Sequence, residues 1–184
     1  APPAVSARPA SVATVSPAEG LAFLLTFDEG IKDEGPASVA IEASGVSLVK
    51  DGRYDKACRF ENGATVSVGT LGMSEHGTWA AWVRGSKVQE GAVARIMDAN
   101  GYMLGISGDG IIAQYCDGPV HNLSTDGYSA ERWTHIAMVW DDETCILYVN
   151  GVSREEIAID GPPAHPKRRL IIGARWTGKG MGFT

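Results

Sequence analysis

Apolar and polar residues alternate with a period of two through most of the chain beyond residue 20. In THIAMVWD (134–141), Ile136, Met138 and Trp140 fall on one side of an extended strand, and the residues between them fall on the other. Successive side chains of a strand point to opposite faces of its sheet. The alternation therefore predicts β-strands, and no segment keeps a helical period over three turns.

Short segments with this alternation, or with a brief apolar run, follow one another roughly every ten residues, as in an antiparallel sandwich or barrel. Gly, Asn-Gly or Asp-Gly stands between many of them and supplies the positive φ that tight hairpins need. The pattern therefore predicts an all-β protein. The predicted strands are 22–27, 57–61, 64–69, 78–85, 92–98, 102–108, 111–116, 133–141, 145–151, 155–160 and 169–174.

The strands 133–141 and 145–151 form a predicted hairpin around the acidic turn DDET, and Asn-Gly then starts a second hairpin. Both faces of this hairpin carry apolar residues, so we predict that it lies in the centre of a sheet and packs on both sides or against a second layer. His135 is predicted to have a structural role in this strand. Four tryptophans are predicted to be core residues: Trp79, Trp82, Trp133 and Trp140.

The first 20 residues differ from the rest of the chain. They hold 13 Ala, Pro and Ser and no aromatic residue, so they offer little to bury. We predict an extended or disordered tail at 1–20 and one folded domain at 21–184. The opening APPAVSA resembles what remains behind a small-residue cleavage site, which fits a secreted or cell-surface protein and equally a shortened chain.

Charge and composition restrict the classes of partner that we expect for the chain. The net charge of −6 argues against nucleic acid or an anionic membrane as partner, because both attract a clustered positive field. The basic cluster HPKRR (165–169) is predicted to be a solvated loop. No stretch approaches the roughly 20 apolar residues of a membrane span, so membrane insertion is not expected.

Three cysteines are present without a CxxC spacing or a zinc-site arrangement of histidines. Cys116 and Cys145 each end a strand-like run, which permits one disulfide between them. Three buried free thiols, with Cys58 as the third, are the alternative.

Five segments, in order, resemble laminin-G-like domains of the concanavalin A-type lectin/glucanase jellyroll fold. RWTHIAMVWDDETCILYVNGV (132–152) is similar to the family form W-H-H-V-A-x-V-Y-D-x-x-x-x-x-L-Y-V-N-G. LTFDEG (25–30) resembles the opening strand with its acidic turn, and YDKACRFENGATVSVG (54–69) resembles the G-x-A-L-x-F-D-G hairpin. TWAAWVRG (78–85) and RLIIGAR (169–175) resemble two further strands. The resemblance implies a jellyroll of two antiparallel sheets, each of six or seven strands.

The family's closing strand, F-x-G-x-I-D-D-V-R-I-Y, would begin near GKGMGFT (178–184), where the chain stops. The sequence is therefore expected to be a fragment, or to have this gap filled by residues 1–20 or by a neighbouring chain through strand addition. The resemblance implies a non-catalytic extracellular module that binds carbohydrate or a protein partner. The alternative is a structural subunit of a surface or filament assembly that is completed by strand exchange.

Catalysis is not expected. Glucanases of this family resemble one another in a strand with the pattern E-x-D-x-E or E-x-D-x-x-E, which places carboxylates on one strand face. EEIAID (155–160) and DDE (141–143) are the nearest candidates, and neither has that spacing.

Calcium and sugar are the ligands that the resemblance implies. Asp28 matches the acidic turn that supplies a calcium ligand in laminin-G-like domains, and Asp33, Asp98 and Asn100 would assist if the fold brought them close. Sugar binding requires an aromatic face for the C–H surface of a pyranose. The predicted carbohydrate-binding residues, which lie at strand ends or in loops, are Trp176, Tyr115, Tyr128 and Tyr54.

Overall fold

A computed structural model gives the architecture and describes residues 20–85, 88, 92–165 and 167–175. Eleven β-strands make up the regular structure of these residues. The strands are β1 (Ile41–Val49), β2 (Ala57–Gly72), β3 (Gly77–Val83), β4 (Ala94–Asp98), β5 (Met103–Ser107), β6 (Gly110–Cys116), β7 (Val120–Thr125), β8 (Thr134–Trp140), β9 (Thr144–Val149), β10 (Val152–Ala158) and β11 (Lys167–Ile172).

The strands form two antiparallel sheets. The large sheet has seven strands in the order β1-β2-β11-β4-β5-β6-β7, and the small sheet has four in the order β10-β9-β8-β3. The all-β jellyroll prediction is therefore confirmed. The small sheet has fewer strands, among the described residues, than the six or seven that the resemblance implied.

The two hairpins predicted around residues 133–152 are present, and β8 and β9 are the central strands of the small sheet. At the first turn, Asp141 accepts hydrogen bonds from the backbone N–H groups of Glu143 and Thr144 at 2.9 and 2.7 Å. At the second, Asn150 and Gly151 adopt φ values of 51° and 78°, the left-handed conformation that Asn-Gly tolerates.

The core lies between the inner faces of the sheets and is rich in aromatic rings. Trp79 and Trp140 meet edge to face with ring centroids 6.4 Å apart, and Tyr115 lies 6.0 Å from Trp140. Each such pair adds about 0.5–1.5 kcal/mol beyond its buried area. Gly77 lets the Trp140 ring approach the backbone closely, because a Cβ at this position would lie 2.3 Å from that ring.

Two local predictions are wrong, and two strands were not predicted. Residues 22–27 form no strand, because backbone N–H groups of the 24–39 segment bond to Asp33 rather than to a neighbouring strand. β1 and β7 are strands that the sequence pattern did not indicate. The basic cluster at 165–169 is partly a strand, since β11 begins at Lys167.

The three cysteines are free thiols, which excludes the Cys116–Cys145 bridge in this structure. Cys145 is fully buried, and burial raises the pKa of its thiol to about 12. Burial likewise raises the pKa of Cys58 to about 11.

Candidate functional site

Trp82 lies on the outward face of the small sheet. It pairs with His135 across β3 and β8, whereas Trp79, three residues earlier, points into the core. Trp82 is 37% exposed, so the prediction that it belongs to the core is wrong. The physical reason is available in the sequence, because two residues separated by an odd number of positions on one strand face opposite sides.

Two residues of the loop before β2 meet Trp82 on this face. The Tyr54 ring stands edge to face with Trp82 at a centroid distance of 6.3 Å. The guanidinium carbon of Arg53 lies 4.9 Å from the Trp82 ring centroid and 5.1 Å from that of Tyr54. His135 completes the group with its ring 5.2 Å from Trp82. We call Arg53, Tyr54, Trp82 and His135 the aromatic cluster.

A second arginine fixes the loop that carries Arg53 and Tyr54. Arg84 follows β3 and forms an ion pair with Asp51 at 2.5 Å, and its guanidinium carbon lies 4.9 Å from the Trp133 ring centroid. The hydrogen bond and charge of Arg84 lower the pKa of Asp51. The loop also closes on itself, because Gly52 N–H donates to the Asp55 carbonyl at 3.0 Å. The aromatic cluster therefore connects the loop that Arg84 holds to the small sheet.

His135 is held through its backbone and is uncharged near neutral pH. Its N–H donates to Asn150 Oδ1 at 2.9 Å, and its carbonyl accepts from Asn150 N–H at 2.8 Å. Burial lowers the pKa of its imidazole below the ordinary value of 6.5. A neutral imidazole has one N–H donor and one acceptor nitrogen, so His135 adds hydrogen-bonding capacity without charge.

The predicted sugar-binding tyrosines have different environments. Tyr54 is 80% exposed and belongs to the aromatic cluster. Tyr115 is completely buried, and its hydroxyl donates to the Gly161 carbonyl at 3.2 Å. Tyr128 is 6% exposed, and its hydroxyl donates to the Gly85 carbonyl at 3.3 Å. Neither buried ring has a face open to a ligand, which corrects both predictions, and Trp176 lies outside the described residues.

Asp28, the predicted calcium ligand, contacts Lys56. Its Oδ1 accepts from Lys56 N–H at 3.1 Å, and its backbone carbonyl accepts from the Lys56 ammonium. Asp33 bonds to the backbone of its own loop, and Asp98 pairs with Arg95 and accepts from Asn100 N–H. Asp28 belongs to no group of three metal-ligating side chains within the described ranges. Calcium binding there stays a prediction.

One group of three such side chains is present in that part of the chain: Glu75, His76 and Asp142. All three are exposed, and His76 Nε2 lies 3.0 Å from Asp142 Oδ1. Calcium prefers oxygen ligands, so this group does not match the predicted calcium chemistry.

The carboxylates of β10 do not share one strand face. Glu155 is partly buried and accepts a hydrogen bond from Ser124 N–H of β7, whereas Glu156 is exposed. Asp141 is engaged in the β8–β9 turn. A carboxylate pair that flanks a glycosidic bond requires two side chains directed to one side of the sugar. The described residues of β10 and this turn do not supply that arrangement.

Two further predictions concern assembly and membranes. Strand exchange involves residues 1–20 and the C-terminal residues, and 1–19 and 176–184 lie outside those described, so it stays a prediction. Among the residues that the structure describes, no helix has the length and apolarity needed to cross a membrane.

Comparison with known protein families identifies a match for most of the chain. The model of the concanavalin A-like lectin/glucanases superfamily matches residues 60–184. No curated protein matches the chain.

Solved structures with similar folds share little sequence with the chain. The binding domain of Paraclostridial Mosquitocidal Protein 1 superposes with a TM-score of 0.67 at 16% identity, over 84% of this chain and 47% of that one. Domain 4 of AbnA, an extracellular arabinanase from Geobacillus stearothermophilus in complex with arabinotriose, gives 0.63 at 12%, over 83% and 81%. The receptor-binding domain of botulinum neurotoxin C/D mosaic serotype gives 0.70 at 14%, over 85% and 43%. The chain spans less than half the length of the two toxin chains, and these likenesses show the fold alone.

Proposed function

The chain belongs to the concanavalin A-like lectin/glucanases superfamily, and from that premise we propose that it is a non-catalytic binding module that recognises carbohydrate through the aromatic cluster. The observation that carries the proposal is the Tyr54 ring, which is 80% exposed and stands edge to face with Trp82 on the outward face of the small sheet. Aromatic side chains present large apolar faces at a small cost in conformational entropy. Such faces suit the C–H surface of a pyranose.

The edges of the cluster supply the polar contacts that orient a sugar. Tyr54 has a hydroxyl, Arg53 has guanidinium N–H groups, and His135 is a neutral donor and acceptor. Binding sites generally combine apolar surface with a few placed polar groups of this kind. Similar folds that carry sugars support the proposal, since the arabinanase domain was solved with arabinotriose and a botulinum neurotoxin binding domain with SialylT. A secreted or cell-surface location accords with this function.

A protein ligand is the other partner that this surface suits, because Trp, Tyr and Arg are the residues enriched at the centres of protein interfaces. Sugar is the better fit for an open surface that offers two rings and a few separated polar groups. Glycan-array binding distinguishes the two, since a protein-binding surface would capture no glycan.

Glycan-array binding tests the proposal. The wild type is expected to bind a defined set of glycans, and Trp82→Ala to weaken that binding about tenfold or more, because central aromatic residues dominate binding energy. Tyr54→Ala should have the same direction of effect. Leu48→Ala is a matched control, since Leu48 is an exposed apolar residue on β1 of the other sheet. Wild-type protein that binds no glycan, or a Trp82→Ala variant that binds like wild type, would contradict the proposal.

A further inference from the structure

The two arginines near the aromatic cluster have different environments. Arg84 donates to Asp51, so its charge is paired. Arg53 is exposed and, within the part of the chain that the structure describes, forms no ion pair and no side-chain hydrogen bond. The neighbouring carboxylate of Asp55 does not pair with Arg53, and Asp51 is engaged by Arg84. Within the described ranges, the Arg53 guanidinium contacts the Trp82 and Tyr54 rings and has no charged partner.

From this difference we propose that the aromatic cluster takes an acidic saccharide, with the carboxylate or sulfate group of the sugar bound by Arg53. The inference rests on the proposed function and narrows its ligand class. The planar guanidinium lies within 4.9 and 5.1 Å of two ring centroids. A guanidinium near aromatic rings keeps its N–H edge free, and that edge matches the two oxygens of a carboxylate or sulfate.

The geometry assigns separate tasks to the residues of the cluster. Trp82 and Tyr54 restrict the position of Arg53, so less side-chain freedom is lost when an anion binds. The exposed part of Tyr54 remains available to the apolar face of the sugar ring. A neutral sugar would leave the guanidinium N–H groups bonded to water, whereas an acidic one adds a charge-assisted hydrogen bond.

The local charge favours the same ligand class. The whole chain has a net charge of −6, but the ten residues around the cluster loop, 50–59, have a net charge of +2. Their charged residues are Lys50, Arg53, Lys56 and Arg59 against Asp51 and Asp55. A local excess of positive charge in an acidic protein favours anionic ligands, and salt screens the effect.

Isothermal titration calorimetry with paired oligosaccharides tests the inference. Each uronic acid oligosaccharide is compared with its carboxyl-reduced form, and each sulfated oligosaccharide with its unsulfated parent. The variants are Arg53→Gln and Arg53→Lys, with Arg154→Gln as the matched control, since Arg154 is an exposed arginine at the other edge of the small sheet.

We expect wild-type protein to bind the acidic member of at least one pair about tenfold more tightly than the neutral member, which corresponds to about 1.4 kcal/mol. Arg53→Gln should remove that preference, and Arg53→Lys should restore only part of it, because an ammonium lacks the planar fork. Comparison of the uronic acid pairs with the sulfated pairs shows whether the bound group is a carboxylate or a sulfate.

Three results would overturn the inference. Equal binding of acidic and neutral members, with dependence on Trp82, would leave the proposed function standing and remove the acidic ligand. An acidic preference that Arg53→Gln leaves intact would place the anion elsewhere. Binding of no member of any pair would contradict both the inference and the proposed function.

Discussion

The rings of Trp79 and Trp82 lie on opposite faces of β3, one in the core and one at the surface. The same substitution is therefore expected to reduce stability by different amounts at the two positions. Trp79→Ala leaves a cavity beside Trp140 and should reduce the free energy of unfolding by about 3–5 kcal/mol. Trp82→Ala removes a ring that is already partly hydrated and should cost clearly less. Denaturant unfolding of both variants measures the difference, and a similar loss of stability for both would contradict the assignment of faces.

Asp33 predicts a second stability effect. Its Oδ1 accepts from Leu24 and Gly35 N–H at 2.9 and 2.7 Å, and its Oδ2 accepts from Val39 N–H at 2.7 Å. Burial raises the pKa of Asp33, but the three backbone hydrogen bonds outweigh it and lower the pKa below the ordinary value of 3.8. Asp33→Asn replaces one acceptor with an NH₂ group and should cost about 1–3 kcal/mol.

Thermal unfolding combined with limited proteolysis checks the Asp33 prediction. Cleavage within residues 24–39 should become faster in Asp33→Asn, because this segment loses a hydrogen bond that fixes it. Asp126→Asn serves as the control, since Asp126 is exposed and its side chain accepts no hydrogen bond among the described residues. Equal melting temperatures and equal cleavage for Asp33→Asn and wild type would show that Asp33 does not hold the segment.

The sequence predicted the elements whose signals are local. Alternation and the Asn-Gly turn located β8, β9 and β10, because register and turn geometry depend on neighbouring residues. The strand predicted at 22–27 is absent. Its apolar residues resemble a strand, but the Leu24 N–H bonds to the side chain of Asp33, nine positions away. The local pattern of apolar and polar residues does not indicate which group the backbone bonds to.

The candidate site was predicted only in part. Tyr54 was identified, but Arg53 and Trp82 were not, because their proximity depends on how the loop before β2 meets β3. The number of positions between two residues of one strand indicates whether they share a face. Trp82 is an odd number of positions from buried Trp79, and Tyr115 is an even number of positions from buried Ile111. Sequence spacing thus indicates which face a side chain occupies, while the partners across that face come from tertiary structure.

The free cysteines predict a simple thiol count. Burial raises the pKa of Cys145 to about 12 and that of Cys58 to about 11, so thiolate is scarce at pH 8. Native protein should therefore react slowly with a thiol reagent such as dithionitrobenzoate. Under denaturing, non-reducing conditions all three cysteines should react. A count of one thiol would show that two of the three cysteines are joined by a disulfide, and peptide mapping would identify the pair.

Calcium binding at Asp28, if it occurs, competes with Lys56. A cation bound by the Asp28 side chain and carbonyl would have to displace the Lys56 ammonium from that carbonyl. Lys56→Met should therefore increase the rise in melting temperature that millimolar calcium produces, and Asp28→Asn should abolish that rise. Titration of the three proteins by differential scanning fluorimetry measures it. Calcium that shifts all three equally, or none of them, would exclude a site at Asp28.

His135 predicts a pH dependence with a defined sign. Burial lowers the pKa of its imidazole in the folded protein below the ordinary value of 6.5. Between the folded-state pKa and pH 6.5, the unfolded chain therefore binds more protons than the folded one. The free energy of unfolding then rises with pH in that window. Stability from neutral His135 is fully present above about pH 6.5 and is lost as the pH falls toward the folded-state pKa.

Chemical denaturation between pH 7.5 and 5 tests this sign. His135→Gln should flatten the decline in stability that wild-type protein shows on acidification, because glutamine does not titrate. Asp33 and Asp141, whose pKa values are lowered from 3.8, contribute below this range and cancel between wild type and variant. A steeper decline in His135→Gln than in wild type would mean that His135 gains rather than loses proton affinity on folding.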